Sequence, residues 1–341
     1  MYHYRFAKLL LVGLLFVLTA CQPVTRQRAQ PAIIEQKTPT TALVAQTPPA
    51  EPQVVATIKT GTGGMGMAAG AGAIWVTARD DQAIKRIDPQ TNGVVAAIKV
   101  GAETNAIAFG AGSLWAAGES DHAVYRIDPA TNTLVATIAL DKVPFSFAFG
   151  AGSVWVGTAG PIGGPKGGSV MRIDPATNQI VATIQLDVAD AEAGGLAFSQ
   201  GLLWVGIWRG HRVRQIDPQT NQIVGESIEV GGNPHMSTAN DDAVWFGLEK
   251  AQNQLARIDP KTKQVVATIK LPGSRDPFGI VIDQQRVWVV NTDGALAWVD
   301  PATNQATTAL KLPSQTVGIA ITAGAIWVGN ETAGVVYRIQ P

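Results

Sequence analysis

The sequence predicts an all-β fold, a ring of seven four-stranded antiparallel blades, and three observations predict it. A tryptophan recurs at Trp75, Trp115, Trp155, Trp204, Trp245, Trp288 and Trp327, at intervals of 40, 40, 49, 41, 43 and 39 residues. An Asp-Pro pair follows each of the first six, at Asp88, Asp128, Asp174, Asp217, Asp259 and Asp300, with a degenerate Gln340-Pro341 after the seventh. Each unit holds four short β-type runs separated by turn residues, which in 105–140 are NAIAF, SLWAA, AVYRID and TLVATIAL. A period of about 40–45 residues with four strands per unit is the pattern of a β-propeller blade.

The chain begins with an export signal. Arg5 and Lys8 precede the apolar run from Leu9 to Val17, which is too short to span a bilayer as a helix. The run ends in Leu18-Thr19-Ala20-Cys21, which resembles the bacterial lipoprotein processing box. That resemblance implies a signal peptide over 1–20, cleavage before Cys21 and lipidation of its sulfur. The folded part is then expected outside the cytoplasm, lipid-anchored to a bacterial membrane. Cys21 is the sole cysteine, so no internal disulfide can form and the fold must be held by its core. Residues 21–53 are rich in Pro, Gln, Thr and Ala without an apolar period, a composition that predicts a flexible tether. The charge balance is 26 positive against 26 negative, or 24 against 26 without Arg5 and Lys8. Such neutrality argues against a nucleic-acid partner and against a polybasic membrane patch.

From Val54 to Pro341 everything is repeat. The first run, Val54 to Thr60, has no tryptophan strand before it and matches the last strand of the other units, as in Val265 to Lys270. The seventh unit stops after three strands, so the N-terminal strand is expected to complete it and close the ring without an open seam. The innermost strands crowd the central axis and need small side chains. Gly66 and Ala68, Ala106 and Ala108, Ser146 and Ala148, Gly195 and Ala197, and Gly318 and Ala320 meet that need. The repeated tryptophan lies in the second strand, where a large ring can fill the wedge between blades. In the Asp-Pro-x-Thr-Asn turns, Asp can cap, Pro presets φ and Asn tolerates the left-handed conformation. These aspartates read as scaffold, not as paired catalytic carboxylates.

The units SLWAA…VYRIDPATNTLVATI resemble the 40-residue YVTN-type β-propeller repeat family, over 54–341. That likeness implies an exported propeller and little about chemistry. A second, local likeness is carried by Pro234-His235-Met236, Val244-Trp245-Phe246 and Glu249, which look like the PHxI…LWFTE signature of streptogramin lyases. It implies a seven-bladed propeller that opens a cyclic ester by elimination, with His235 and Glu249 as acid–base candidates and a magnesium ion. The chain departs from that pattern. Glu249 falls later after its tryptophan than the motif glutamate, Asn233 stands where an acidic residue is common, and the preceding blade offers Glu192 but no histidine.

Propeller ligands sit at the mouth of the central channel. Alignment on the tryptophans places Met65, Asn105, Phe145, Gly194, His235, Phe278 and Val317 at equivalent mouth positions, ten residues before each ring. Loops between second and third strands are expected to add, among others, Arg79, Glu119, Trp208, Arg209, Glu249, Asn291 and Asn330 to the same face. Blade five departs furthest from the small-residue rule, with Met236 and Thr238 flanking Ser237, and such departures mark functional places. The ligand-binding candidates are therefore Trp208, Arg209, His235, Phe278 and Asn291. Trp208 and Arg209 offer a planar face beside a fork of donors. The glycine-rich loop from Gly160 to Gly168 is no phosphate loop, because Gly rather than Ser or Thr follows Lys166. Outside the leader only His122, His211 and His235 remain, so no metal-binding Cys/His cluster is expected. The preferred reading is a binding or interaction module taking a small molecule, glycan or protein at the channel mouth, in a monomer without a cofactor. The alternatives are a lyase or hydrolase, with magnesium only in the lyase case, and a structural part of an envelope assembly.

Overall fold

The computed structural model describes residues 51–341 apart from Met65, 161–166, 189–190, 250–252, Gln284 and Ala323. The leader, Cys21 and the tether as far as residue 50 lie outside the described residues, as do Lys166 and most of the loop around it. The repeats form seven four-stranded antiparallel sheets, each built from strands consecutive in sequence except the last. That last sheet joins Thr316–Thr322, Ala325–Asn330 and Val335–Gln340 to the N-terminal strand Gln53–Lys59. Gln53 pairs with Gln340 and Lys59 with Val335, so the first strand of the repeat region completes the seventh blade as the repeat count required.

The core consists of seven clusters, one at each junction between blades. Trp75 of blade one packs with Ile107, Leu114 and Ala116 of blade two, and Trp327 of blade seven packs with Ile74 and Val76 of blade one. All seven repeated tryptophans are at most 1 % exposed. Each therefore removes a large apolar surface from water, at about 25 cal/mol per Å2. The second strands are almost wholly buried, and Ala73–Ala78 and Ser113–Gly118 are buried at every residue. Outermost strands such as Gln53–Lys59, Gly93–Lys99 and Thr133–Ala139 instead bury one isoleucine (Ile58, Ile98 or Ile138) and leave their leading pair of aliphatic residues exposed.

The Asp-Pro turns behave as their residues dictate. Asp128 Oδ1 accepts from the N–H of Ala130 at 2.8 Å, and that bond holds its carboxyl below the usual range. Asn92, Asn132, Asn178, Asn221 and Asn304 all have φ between 56° and 59°. The asparagine has a second role that its turn chemistry conceals. Arg126, on the third strand of blade two, lies 5.2 Å over its own Trp115. It donates to Asn178 Oδ1 of the next blade at 2.8 Å and to Pro175 O at 2.5 Å. The same latch is made by Arg86, Arg172 and Arg257, and Arg338 reaches Asn92 at 2.9 Å across the closing seam. Between blades four and five it is replaced. Gln215 stands where the arginine would be, fully buried with neither amide atom hydrogen-bonded, and Lys263 occupies the asparagine position.

Candidate channel-mouth site

At the end of the ring opposite the Asp-Pro turns, the inner strands begin with β-bulges. Pairing slips between Thr104 and Ile107, Pro144 and Ser146, Ala193 and Leu196, Pro234 and Met236, Pro277 and Gly279, and Thr316 and Ile319. The positions that the tryptophan alignment equates, namely Asn105, Phe145, Gly194, His235, Phe278 and Val317, all fall inside these slips. A bulge turns a side chain out of the alternation of its strand, which is how five of these inner strands present a side chain to one mouth. In three blades the bulged residue is a ring preceded by proline: Pro144-Phe145, Pro234-His235 and Pro277-Phe278. Proline cannot donate to a ladder and is tolerated at bulges. This Pro-ring pair is a sequence signal for the site that the repeat alignment alone leaves unread.

The mouth leads into a cavity of about 390 Å3 whose lining includes Asn105, Glu119, Phe145, His235, Phe278 and Val317. His235 is 6 % exposed and lies at the centre of a cluster of rings. Its centroid is 5.2 Å from Phe145, 5.6 Å from Trp208 and 5.4 Å from the edge-on Phe278. Trp208 in turn stacks on Phe145 at 6.0 Å. Gly194 makes room for this closure, since a Cβ there would stand 2.3 Å from Pro234 O and 3.3 Å from the Cβ of Trp208.

Behind the rings sits Glu249. Its Oε1 is 2.7 Å from His235 Nδ1, a short contact that is not aligned as a hydrogen bond from the ring N–H. Its Oε2 accepts from Trp208 Nε1 at 2.8 Å. One carboxylate thus ties together blades four and five. Arg209 lies 4.5 Å over Trp208 and 3.8 Å from Glu192, so it braces the indole from the solvent side.

Trp208, Glu249, Asn291 and Asn330 do not lie in loops as the alignment suggested. They end the second strands, paired with Glu192, Asn233, Pro277 and Thr316, because pairing resumes beyond each bulge. Of the five ligand-binding candidates, the structure gathers Trp208, Arg209, His235 and Phe278. Asn291 is placed differently: it is 1 % exposed and donates to Pro272 O at 2.7 Å, holding the segment that enters blade six. Met65 lies outside the described residues.

Glu119 is the one carboxylate among the described residues lining the cavity. Burial pushes its carboxyl above the ordinary range, against a hydrogen bond from Asn105, while nearby Glu103 pushes the same way and Arg79 opposes weakly. The magnesium of the lyase likeness finds no matching ligand set. Among the described residues no group of three or more His, Cys, Asp and Glu could hold a metal ion, and both oxygens of Glu249 are engaged.

The comparisons agree with the architecture. A family model described as "Repeat of unknown function (DUF6923)" matches residues 32–173; the matching model is not the YVTN-type family to which the repeats were likened. No curated protein matches the chain. Among solved structures, a streptogramin B lyase superimposes with a TM-score of 0.72 at 14% identity, covering 85% of this chain and 98% of that one. A catalytically inactive histidine-to-alanine variant of virginiamycin B lyase from Staphylococcus aureus, with quinupristin, gives 0.71 at 17% identity, covering 85% and 100%. At such identities the likeness carries the fold alone, and one fold hosts many functions. By repeat, topology and superposition, this chain is a seven-bladed β-propeller.

Proposed function

We propose that this propeller is a ligand-binding module of the bacterial cell envelope, anchored through lipid on Cys21, with its site at the channel mouth. The observation that carries the reading is a cavity of about 390 Å3 lined by the rings of Phe145, His235 and Phe278, with Trp208 packed on Phe145 and His235. A concave apolar site with a few fixed polar groups is what a small ligand needs. Here the rings supply contact area, while Glu249 lies against Nδ1 of His235. The anchoring rests on the Leu18-Thr19-Ala20-Cys21 box.

A second reading, a lyase or hydrolase, is favoured by the contact between His235 and Glu249. A carboxylate at Nδ1 orients an imidazole and leaves Nε2 for proton transfer. In that reading His235 would remove a proton from the substrate, as elimination from a cyclic ester requires, and Trp208 would hold Glu249 in place. A thermal-shift screen of the full-length chain against metabolites, glycans and cyclic esters tests both. Saturable stabilisation that is lost in Trp208→Ala supports the binding module, since a native-state ligand raises stability by mass action. Consumption of a cyclic ester that is lost in His235→Ala replaces it with the enzyme. No stabilisation by any compound refutes the mouth as a site.

A further inference from the structure

We propose that the mouth cavity takes a small organic ammonium, seated against the lining rings of Phe145 and Phe278 and paired with the carboxylate of Glu119. This rests on the channel-mouth reading and names its ligand class. Among the described residues that line the cavity, Glu119 and His235 alone are titratable, and none is Lys or Arg. The cavity therefore offers a formal negative charge without a built-in cation.

The surroundings of Glu119 sharpen the point. Asn105 hydrogen-bonds its carboxyl, Glu103 repels it, and Arg79 is its one attractive charge. Arg79 is itself shared with Glu331 at 3.6 Å and Asp80 at 3.8 Å. A carboxylate in partial burial beside a second acid gains most from a positive ligand, because attraction strengthens as water is excluded. A cation of low hydration also suits the rest of the lining. Ring faces attract ammonium through their quadrupoles, and Met67 and Met236 add polarizable sulfur to the wall. An inorganic cation fits poorly, because Glu119 is the one carboxylate among the described lining residues. An anion would meet Glu119 without any facing cation from the lining.

The test is titration calorimetry on the full-length chain with choline and with 3,3-dimethylbutan-1-ol, which has the same shape with carbon in place of the charged nitrogen. Choline should bind saturably and at least about tenfold more tightly than the neutral alcohol, a difference of about 1.4 kcal/mol. Glu119→Gln and Phe278→Leu should each weaken choline about tenfold or more while the chain still melts cooperatively. If one variant misfolds, the other together with the choline-to-alcohol ratio still decides. Equal binding of the two probes, or unchanged choline affinity in a folded variant, overturns the ammonium assignment. If neutral compounds alone stabilise the chain, and lose that effect in Trp208→Ala, the mouth stands as a binding site and this ligand class falls.

Discussion

Trp204 and Trp208 lie on the same strand, Leu202–Trp208, four residues apart, and they belong to different parts of the molecule. Trp204 is fully buried among Val244, Phe246 and Leu248 of the next blade and recurs in every repeat. Trp208 is half-buried, has no counterpart in the repeats, and meets Phe145, His235 and Glu249 at the channel mouth. The difference runs along the whole ring. At the Asp-Pro end, five of seven seams carry the same arginine latch. At the mouth, the equivalent bulged positions hold Asn, Phe, Gly, His, Phe and Val. What repeats holds the fold; what fails to repeat, gathered at one end, is where chemistry can be placed.

The sharpest way to break this division is to open the ring. Deleting Gln53–Lys59 removes the outer strand of blade seven and its buried Ile58. The loss should exceed the ~2–5 kcal/mol of a single large core truncation, and calorimetry should show loss of the cooperative melt. Deleting 22–50 should leave that melt unchanged. The two tryptophans give the next largest contrast. Trp204→Ala should cost about 3–5 kcal/mol in denaturant unfolding, whereas Trp208→Ala, at a partly buried ring, should cost less, with its main effect on ligand binding.

Of the two seams without the latch, the one between blades four and five offers a smaller test in the opposite direction. Gln215→Arg with Lys263→Asn restores the residues found at the latched seams and removes an unsatisfied buried amide. Stability should rise by about 1 kcal/mol, read from the urea midpoint. An unchanged midpoint would mean that the latch is decoration.

The smallest effect expected is at Glu119. Burial raises its carboxyl above the ordinary range, so the folded chain holds this proton to higher pH than the unfolded chain does. Stability from this group is then intact at low pH and is lost as pH rises through that window. Glu119→Gln should accordingly raise the melting temperature at pH 7 and leave it unchanged below about pH 4, where both states are protonated. A gain of equal size at both pH values would point to packing rather than to charge.

The fold was legible because a propeller states its architecture many times. Seven tryptophans, six Asp-Pro turns and an orphan Val54–Thr60 strand left little choice of topology. The mouth was legible only by subtraction, through the break of the small-residue rule at Met236 and the unrepeated Trp208 and Arg209. Its geometry was not. The bulges that turn Phe145, His235 and Phe278 toward one another depend on pairing slips in separate blades, and no spacing in the chain encodes the distances between them. Asn291 shows the converse, since a polar residue at an aligned position proved to be holding a carbonyl of its own blade. The arginine latch escaped notice for a similar reason, because its partner lies one full repeat away in a turn that already explained its asparagine.

The most direct test compares the two ends in one measurement, the ligand-induced shift in melting temperature recorded in parallel for wild type, His235→Ala and Arg126→Ala. The ligand is the strongest stabiliser found in the screen. The account predicts that Arg126→Ala melts lower by about 1–3 kcal/mol of lost charged hydrogen bonding yet keeps the full ligand shift, whereas His235→Ala loses the shift. A shift that survives in His235→Ala and vanishes in Arg126→Ala would place the site at the wrong end of the ring.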